Sequence, residues 1–174
     1  MVAGVDSGFS SHWQGATSAG LLRGAYHFAK PDASSGSSQA HYFVSNGGNW
    51  TSDGKTLPGM LDMEPGTEEG SSTCYGLSSS GMVSWISDFV NTYHSLTSRY
   101  PVIYTGDWWE TCTGGSSAFA ENCPLLLASY GSSSVPTGWS SYTFWQYADS
   151  YKYGGDSELF NGSEDRLNAL AKGS

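Results

Sequence analysis

Basic residues are scarce in this chain of 174 residues: seven Lys and Arg stand against 16 Asp and Glu, for a formal charge of −9. Nucleic acids and anionic membrane surfaces draw their affinity from clustered Lys and Arg, and no such cluster is present. Neither is expected as a partner. No apolar run approaches the roughly 20 residues of a membrane-spanning helix. Charged residues of both signs make up only 13% of the chain, whereas aromatics reach 14%. Disordered chains show the reverse balance, so a folded, loop-rich domain is expected. The length supports one domain, 1–174, with a real core, and is short for two.

Cysteine is sparse too. Cys74, Cys112 and Cys123 contain no CxxC pair, which argues against a zinc ribbon or a thioredoxin-type site. One disulfide with one free thiol fits an oxidising compartment. Two sequons, Asn49-Trp50-Thr51 and Asn161-Gly162-Ser163, agree with secretion. The opening residues, MVAGVDSGFSSHW, have neither the basic n-region nor the apolar h-region of a signal peptide. His12, His27, His41 and His94 lack metal-ligand spacing. GxSxG, GxGxxG and P-loop patterns are absent. No metal and no cofactor is expected.

What the chain does have is 23 Gly, 7 Trp and 11 Tyr. Most of these aromatics belong in a core, but Trp- and Tyr-rich surfaces poor in charge also suit sugars, whose C–H faces stack on rings. Short apolar runs at Leu21–Ala29, Leu57–Glu64, Pro101–Thr105, Pro124–Tyr130 and Tyr142–Tyr147 read as strands. Gln39–Ser45, closed by Gly47-Gly48, reads as a short helix. Leu77–Ser98 is the clearest helix: Met82, Val83, Ile86, Phe89, Val90, Tyr93 and Leu96 recur at helical spacing, and Ser78 to Ser80 offer an N-cap. Glu164–Ala171 is a helical tail. Apolar strands alternating with amphipathic helices predict a parallel sheet covered by helices. In a βα barrel the carboxyl ends of such strands converge on one mouth, where catalysis sits.

The stretch LPGMLDMEPG, residues 57–66, carries the chemistry. Asp62 and Glu64 stand at i and i+2, followed by Pro65-Gly66. On a strand they project to one face with Cα atoms about 6.5–7 Å apart. Two neighbouring carboxylates repel, so one holds its proton towards neutral pH. A protonated acid beside an ionised one is the equipment of glycoside hydrolysis. Glu64, the more exposed, is expected as general acid, with Asp62 keeping its charge and tuning Glu64. A surface pair or a loop-capping pair would read the same way from spacing alone. His27, at a strand end, is a candidate for the mouth.

The segments GLLRGAYHFA, LPGMLDME, YPVIYTGDWW, PLLLASYG, YTFWQYADS and GGDSELFNG follow the order and rough spacing of the glycoside hydrolase family 25 muramidases, the Chalaropsis-type lysozymes, which the chain resembles from about Phe9 onward. The resemblance implies an α/β fold, a modified TIM-like βα barrel. It implies hydrolysis of the β-1,4 bond between N-acetylmuramic acid and N-acetylglucosamine in bacterial peptidoglycan, by a secreted, extracellular, monomeric enzyme. The family's D-x-E falls on Asp62 and Glu64, with Asp62 also placed to steady an acetamido group. Its late acid falls on Asp156. Its aromatic groove falls on Tyr26, Tyr104, Tyr130, Trp145 and Tyr147, with His27, Trp108 and Gln146 beside them as substrate-binding candidates. Its disulfide falls on Cys74 and Cys112. The resemblance leaves substrate-assisted chemistry and direct inversion both open.

The chain departs from the family at its front. The family's opening strand, with an active-site Asp in a G-F-D-x-S-like motif, and its second strand, K-A-T-E-G-like, have no counterpart. Asp6-Ser7-Gly8-Phe9 matches a D-x-x-F that follows those strands. A barrel lacking its first two strands, with an open edge beside Arg23–Phe28, is therefore expected. An inactive remnant that at most binds glycans is the alternative reading of function, and a chitin-directed hydrolase a further one.

Overall fold

The structure, a computed structural model, describes residues 4–66 and 72–174; Met1-Val2-Ala3 of the opening stretch lies outside them. In chain order the elements are α1 (Phe9–Ser18), β1 (Tyr26–Phe28), α2 (Gly36–Phe43), β2 (Met60–Asp62), α3 (Ser79–Thr97), β3 (Val102–Thr105), α4 (Trp108–Thr113), β4 (Leu125–Ala128), β5 (Phe144–Ala148), β6 (Ser157–Phe160) and α5 (Glu164–Lys172). The six strands form one sheet in sequence order, β1 to β6. The first five are parallel and β6 returns antiparallel on β5. The fold is thus α/β with a mixed sheet, where the sequence predicts a parallel one. Among the described residues β1 and β6 are the sheet's two edges and do not pair with each other.

The predicted strands are present but shorter than their apolar runs. Leu57–Glu64, for example, contributes only Met60–Asp62 to the ladder. Parallel bonds need a partner at every second residue, and the ends of each run instead bend into the loops that enter and leave the sheet. The long helix falls where its periodicity places it. Ser78 caps α3 by accepting from the Gly81 N–H at 3.2 Å, and Ser98 ends it in a left-handed turn at φ 57°. In α5, Ser163 caps the start, Glu164 and Asp165 fill the first turn, Lys172 the last, and Gly173 closes it at φ 78°. Both ends suit the helix dipole. The α2 helix starts earlier than predicted, at Gly36, because Ser35 caps it by accepting from Ser38 N–H. It runs into a π-helical turn, Val44–Gly48.

The hydrophobic core lies between the sheet and the helices. Leu61, Met63, Ile103, Leu125 and Leu127 point from the strands towards Met82, Ile86, Phe89, Val90 and Tyr93 on α3, and all are buried. A ladder of rings runs through it: Trp85 on Phe89, Phe89 on Tyr93 and Phe43 on Tyr93, with centroids 6.1, 6.3 and 5.9 Å apart. Each fully buried side chain of this size contributes about 1.5–3 kcal/mol. The Tyr93 hydroxyl donates to Gly48 O at 3.0 Å and accepts from Gly59 N–H at 2.7 Å. It therefore joins the end of the α2 segment to the approach of β2, the strand that carries the acids. The Cys74–Cys112 disulfide is formed, with Cα atoms 5.3 Å apart, and Cys123 is the buried free thiol.

Candidate active site

Asp62 is the last residue of β2, and the chain stays alongside β3 for another step, where Met63 N–H donates to Tyr104 O at 2.9 Å. Alternation then sends Leu61 and Met63 to the helix-covered core and Asp62 and Glu64 to the opposite face. Register carries that face across the sheet. Phe28 stands beside Asp62, Asp62 beside Tyr104, Tyr104 beside Leu126, and Leu126 beside Phe144, two residues before Gln146. Tyr26, Asp62, Tyr104 and Gln146 thus share one side, at or near the carboxyl ends of parallel strands.

The two acids differ in exposure. Asp62 is 7% exposed, and its Oδ1 is buried with no hydrogen-bond partner among the described residues. Burial first, and the Glu64 charge second, push its carboxyl up to about 8. Glu64 is half-buried; burial and then Asp156 raise it as well. Burial therefore favours the proton on Asp62, where the sequence predicts the charge. The deeper residue is the better proton holder because its ionised form loses more hydration. The hydroxyl of Tyr75 donates to Glu64 O at 2.9 Å and fixes the backbone just past the strand.

Tyr104, Tyr130 and Tyr26 surround the acids. All three phenols are raised by burial first. Asp62, Glu64 and Asp156 add to this at Tyr104 and Tyr26, and Asp149, Asp156, Glu64 and Glu158 at Tyr130. Glu64, Tyr104, Tyr130 and Trp108 line one cavity of about 410 Å³. The indole of Trp108, the first residue of α4, donates to Thr73 O at 2.7 Å, which fixes its ring against the wall. A second cavity, about 420 Å³, lies along β1 between α1 and α2. It holds neither Asp62 nor Glu64, so the acid-lined one is the candidate for the chemistry.

Asp156 joins the cluster through Gln146. Gln146 Nε2 donates to Asp156 Oδ2 at 3.0 Å and to Glu158 Oε1 at 3.1 Å, while its Oε1 accepts from Tyr104 at 2.9 Å and Tyr130 at 3.0 Å. Gln146 itself is only 3% exposed, so it supports the walls rather than forming one. Glu158 was not singled out by the sequence; it stands on β6 directly across from Gln146.

Three candidates fall elsewhere. His27 does not reach the mouth: one residue beyond Tyr26, it turns into the core. It lies between Phe43 and Phe89, each at 5.6 Å, and its Nε2 is 2.8 Å from Gln39 Oε1. An amide oxygen only accepts, so the ring donates, and burial lowers its pKa and keeps it neutral. Trp145 alternates with Gln146 and packs with Tyr142 on the core side, its indole donating to Ser129 O at 2.8 Å. Tyr147 sits at the β-bulge between Gln146 and Ala148, with its ring edge on Trp145.

Paired acids at the carboxyl ends of parallel strands, ringed by tyrosines, have the layout of a glycoside hydrolase. Residues 3–156 match the family described as Glycosyl hydrolases family 25. The N,O-diacetylmuramidase of Arthroderma benhamiae is 52% identical over 170 residues, covering 96% of this chain and 71% of that protein. The N,O-diacetylmuramidase of Chalaropsis sp is 48% identical, covering 95% and 81%. The solved muramidase from Acremonium alcalophilum superposes with a TM-score of 0.95 at 58% identity, covering 100% of this chain and 84% of that one. The chain belongs to glycosyl hydrolases family 25.

Proposed function

We propose that this chain is a muramidase, cleaving the β-1,4 bond between N-acetylmuramic acid and N-acetylglucosamine in bacterial peptidoglycan. The observation that carries the reading is the pair itself: a buried Asp62 with an unpartnered Oδ1, and a half-buried Glu64 two residues on, on the wall of a tyrosine-lined cavity. The identity with two N,O-diacetylmuramidases supports the substrate class.

The geometry favours participation by the substrate's acetamido group. In the free site burial leaves the shared proton on Asp62. An acetamido N–H donated to the unpartnered Oδ1 favours the ionised form of Asp62, and the proton passes to Glu64. Glu64 then protonates the glycosidic oxygen as the C1–O bond breaks, while the acetamido carbonyl oxygen, oriented through the N–H that Asp62 accepts, closes on C1. Water adds to C1, gives its proton to Glu64, and releases the acetamido group. Configuration at C1 is retained through two inversions. Asp156, held by Gln146, supplies the negative charge that keeps Glu64 protonated.

On this reading the protein is a single-domain enzyme that works as a monomer outside the cell. The sheet is part of a TIM-like barrel, with β1 at its edge among the described residues. The test is reducing-end release from purified peptidoglycan by the wild type and by Glu64→Gln, with thermal melts of both. Release by the wild type alone, with matching melts, is the expected result. Release by both removes Glu64 from the mechanism. Release by neither, with cooperative melts, favours the inactive glycan-binding remnant. Soluble chitin oligomers run in parallel distinguish the chitin-directed reading.

A further inference from the structure

We infer that Gln146 is a positioning residue: its single carboxamide commits the Tyr104 and Tyr130 hydroxyl protons inward and holds Asp156 and Glu158, so that both phenol oxygens meet the substrate as acceptors only. The inference rests on the muramidase reading for its substrate, but not for its geometry.

A carboxamide has two N–H donors and two acceptor positions on its oxygen. In Gln146 all four are used, at 2.9, 3.0, 3.0 and 3.1 Å, in a side chain 3% exposed. An ionised carboxylate accepts and cannot donate, so Nε2 must face Asp156 and Glu158. Reversing the amide would set its oxygen against two carboxylate oxygens in a buried position, a costly unsatisfied arrangement. Oε1 therefore faces the tyrosines. An amide oxygen cannot donate, so both hydroxyls must. Each phenol has one proton, and each is now committed.

The consequence is a recognition rule. Tyr104 and Tyr130 line the same cavity as Glu64, and what they offer a ligand there is lone pairs. The carboxylates of Asp149, Asp156 and Glu158 beside Tyr130 add negative charge and no donor when ionised. This wall selects groups that donate, namely sugar hydroxyls and amide N–H groups, and disfavours a bare carboxylate. Glu158 matters because it lies directly across the β5–β6 ladder from Gln146. With Asp156 it fixes the amide's orientation, and neither acid alone would occupy both N–H groups.

Two measurements test this. Neutron diffraction from deuterium-exchanged wild-type crystals should place deuterons between Gln146 Oε1 and both tyrosine oxygens. A deuteron turned towards the cavity, or a reversed amide, overturns the inference whatever the enzyme does. The second compares Gln146→Glu with the uncharged Gln146→Met on peptidoglycan. Gln146→Glu adds a third carboxylate facing Asp156 and Glu158; it should lower kcat/KM at least tenfold at pH 7 and recover to within about threefold of wild type near pH 5, where a protonated Glu donates again. Gln146→Met should be impaired equally at both pH values. A Gln146→Glu to wild-type ratio that does not change with pH, in a variant that melts like wild type, overturns the inference. If Gln146→Glu does not fold, Tyr130→Phe replaces it, and unchanged KM and kcat there overturn the acceptor role. A wild type inactive on peptidoglycan fails the muramidase reading and leaves the neutron result to decide this one.

Discussion

The Tyr75 hydroxyl donates to the backbone carbonyl of Glu64 at 2.9 Å, and Tyr75 directly follows Cys74, which is bonded to Cys112 on α4. The proposed acid is therefore tied to a covalent staple. The bridge closes a sequence separation of 38 residues, which in the chain-entropy account contributes about 4 kcal/mol. Reduction, or Cys112→Ser, should lower the unfolding free energy by up to that amount and reduce activity alongside it, because Trp108 stands on the same short helix. Melting with and without dithiothreitol checks this. Cys123 makes a convenient internal control: burial pushes its thiol up to about 12, so it should react with a thiol reagent only after unfolding.

Asp62 should make the fold less stable as pH rises. Its carboxyl titrates near 3.9 in the unfolded chain and is pushed up to about 8 when folded. Between those values the native state keeps a proton that the unfolded state has lost, so unfolding becomes easier with each step in pH. The stability linked to this group is present in full below about pH 4 and is lost by about pH 8. Asp62→Asn removes the dependence. The variant should melt above wild type at pH 8, by at least about 1 kcal/mol or roughly 2–4 °C, with the gap closing towards pH 4. Melting curves across that range read it directly. Equal melting temperatures at pH 8 would mean that water relieves the buried carboxylate. Activity should be lost in Asp62→Asn at every pH.

Asp156 acts on Glu64 through charge, raising it further than burial alone does. A general acid fails once it has lost its proton, so Glu64, in its proposed role, should set the alkaline limb of the rate profile. Asp156→Asn removes the negative charge and should move that limb to lower pH, with a smaller loss at acid pH than at neutral pH. A profile that keeps its shape and only scales down would assign Asp156 to binding instead.

Much of this site was legible in the sequence because it rests on local rules. Spacing alone put Asp62 and Glu64 on one face, helical periodicity placed α3, and the family pattern singled out Asp156, Tyr104, Tyr130 and the Cys74–Cys112 bridge. The depth order of the acids was legible, Glu64 being the more exposed, but not how far Asp62 is buried; that degree of burial, a tertiary property, is what favours the proton on Asp62. His27 misled because adjacent strand residues face opposite ways: Tyr26 takes the site side and His27 the core. The α1 helix was not predicted, although Phe9, Trp13 and Ala16 recur at helical spacing; none of its residues is buried. β6 is four residues behind Gly154-Gly155, and its antiparallel return brings Glu158 to Gln146.

Two glycines in helices should respond in opposite directions to the same substitution. Gly36 opens α2 against α3, and a Cβ there would land on the Trp85 carbonyl and the Phe89 amide nitrogen, with Asp88 Cβ at 3.2 Å. These are backbone atoms of a buried helix, so the clash is relieved only by moving α2 off α3. Gly36→Ala should cost about 1–3 kcal/mol as overpacking. Separation of the two helices also disturbs the Ser37 N–H bond to Asp88 at 2.7 Å. Gly15 lies inside α1, and among the described residues nothing stands within 4 Å of its added Cβ. There Ala only narrows the unfolded ensemble and favours the helix, a gain of about 0.4–1 kcal/mol. Urea unfolding of both variants decides the matter: a midpoint lowered for Gly36→Ala and raised for Gly15→Ala, with unchanged m-values. A neutral Gly36→Ala would mean that the α2–α3 crossing has slack, and the aromatic ladder behind it would then be expected to tolerate enlargement as well.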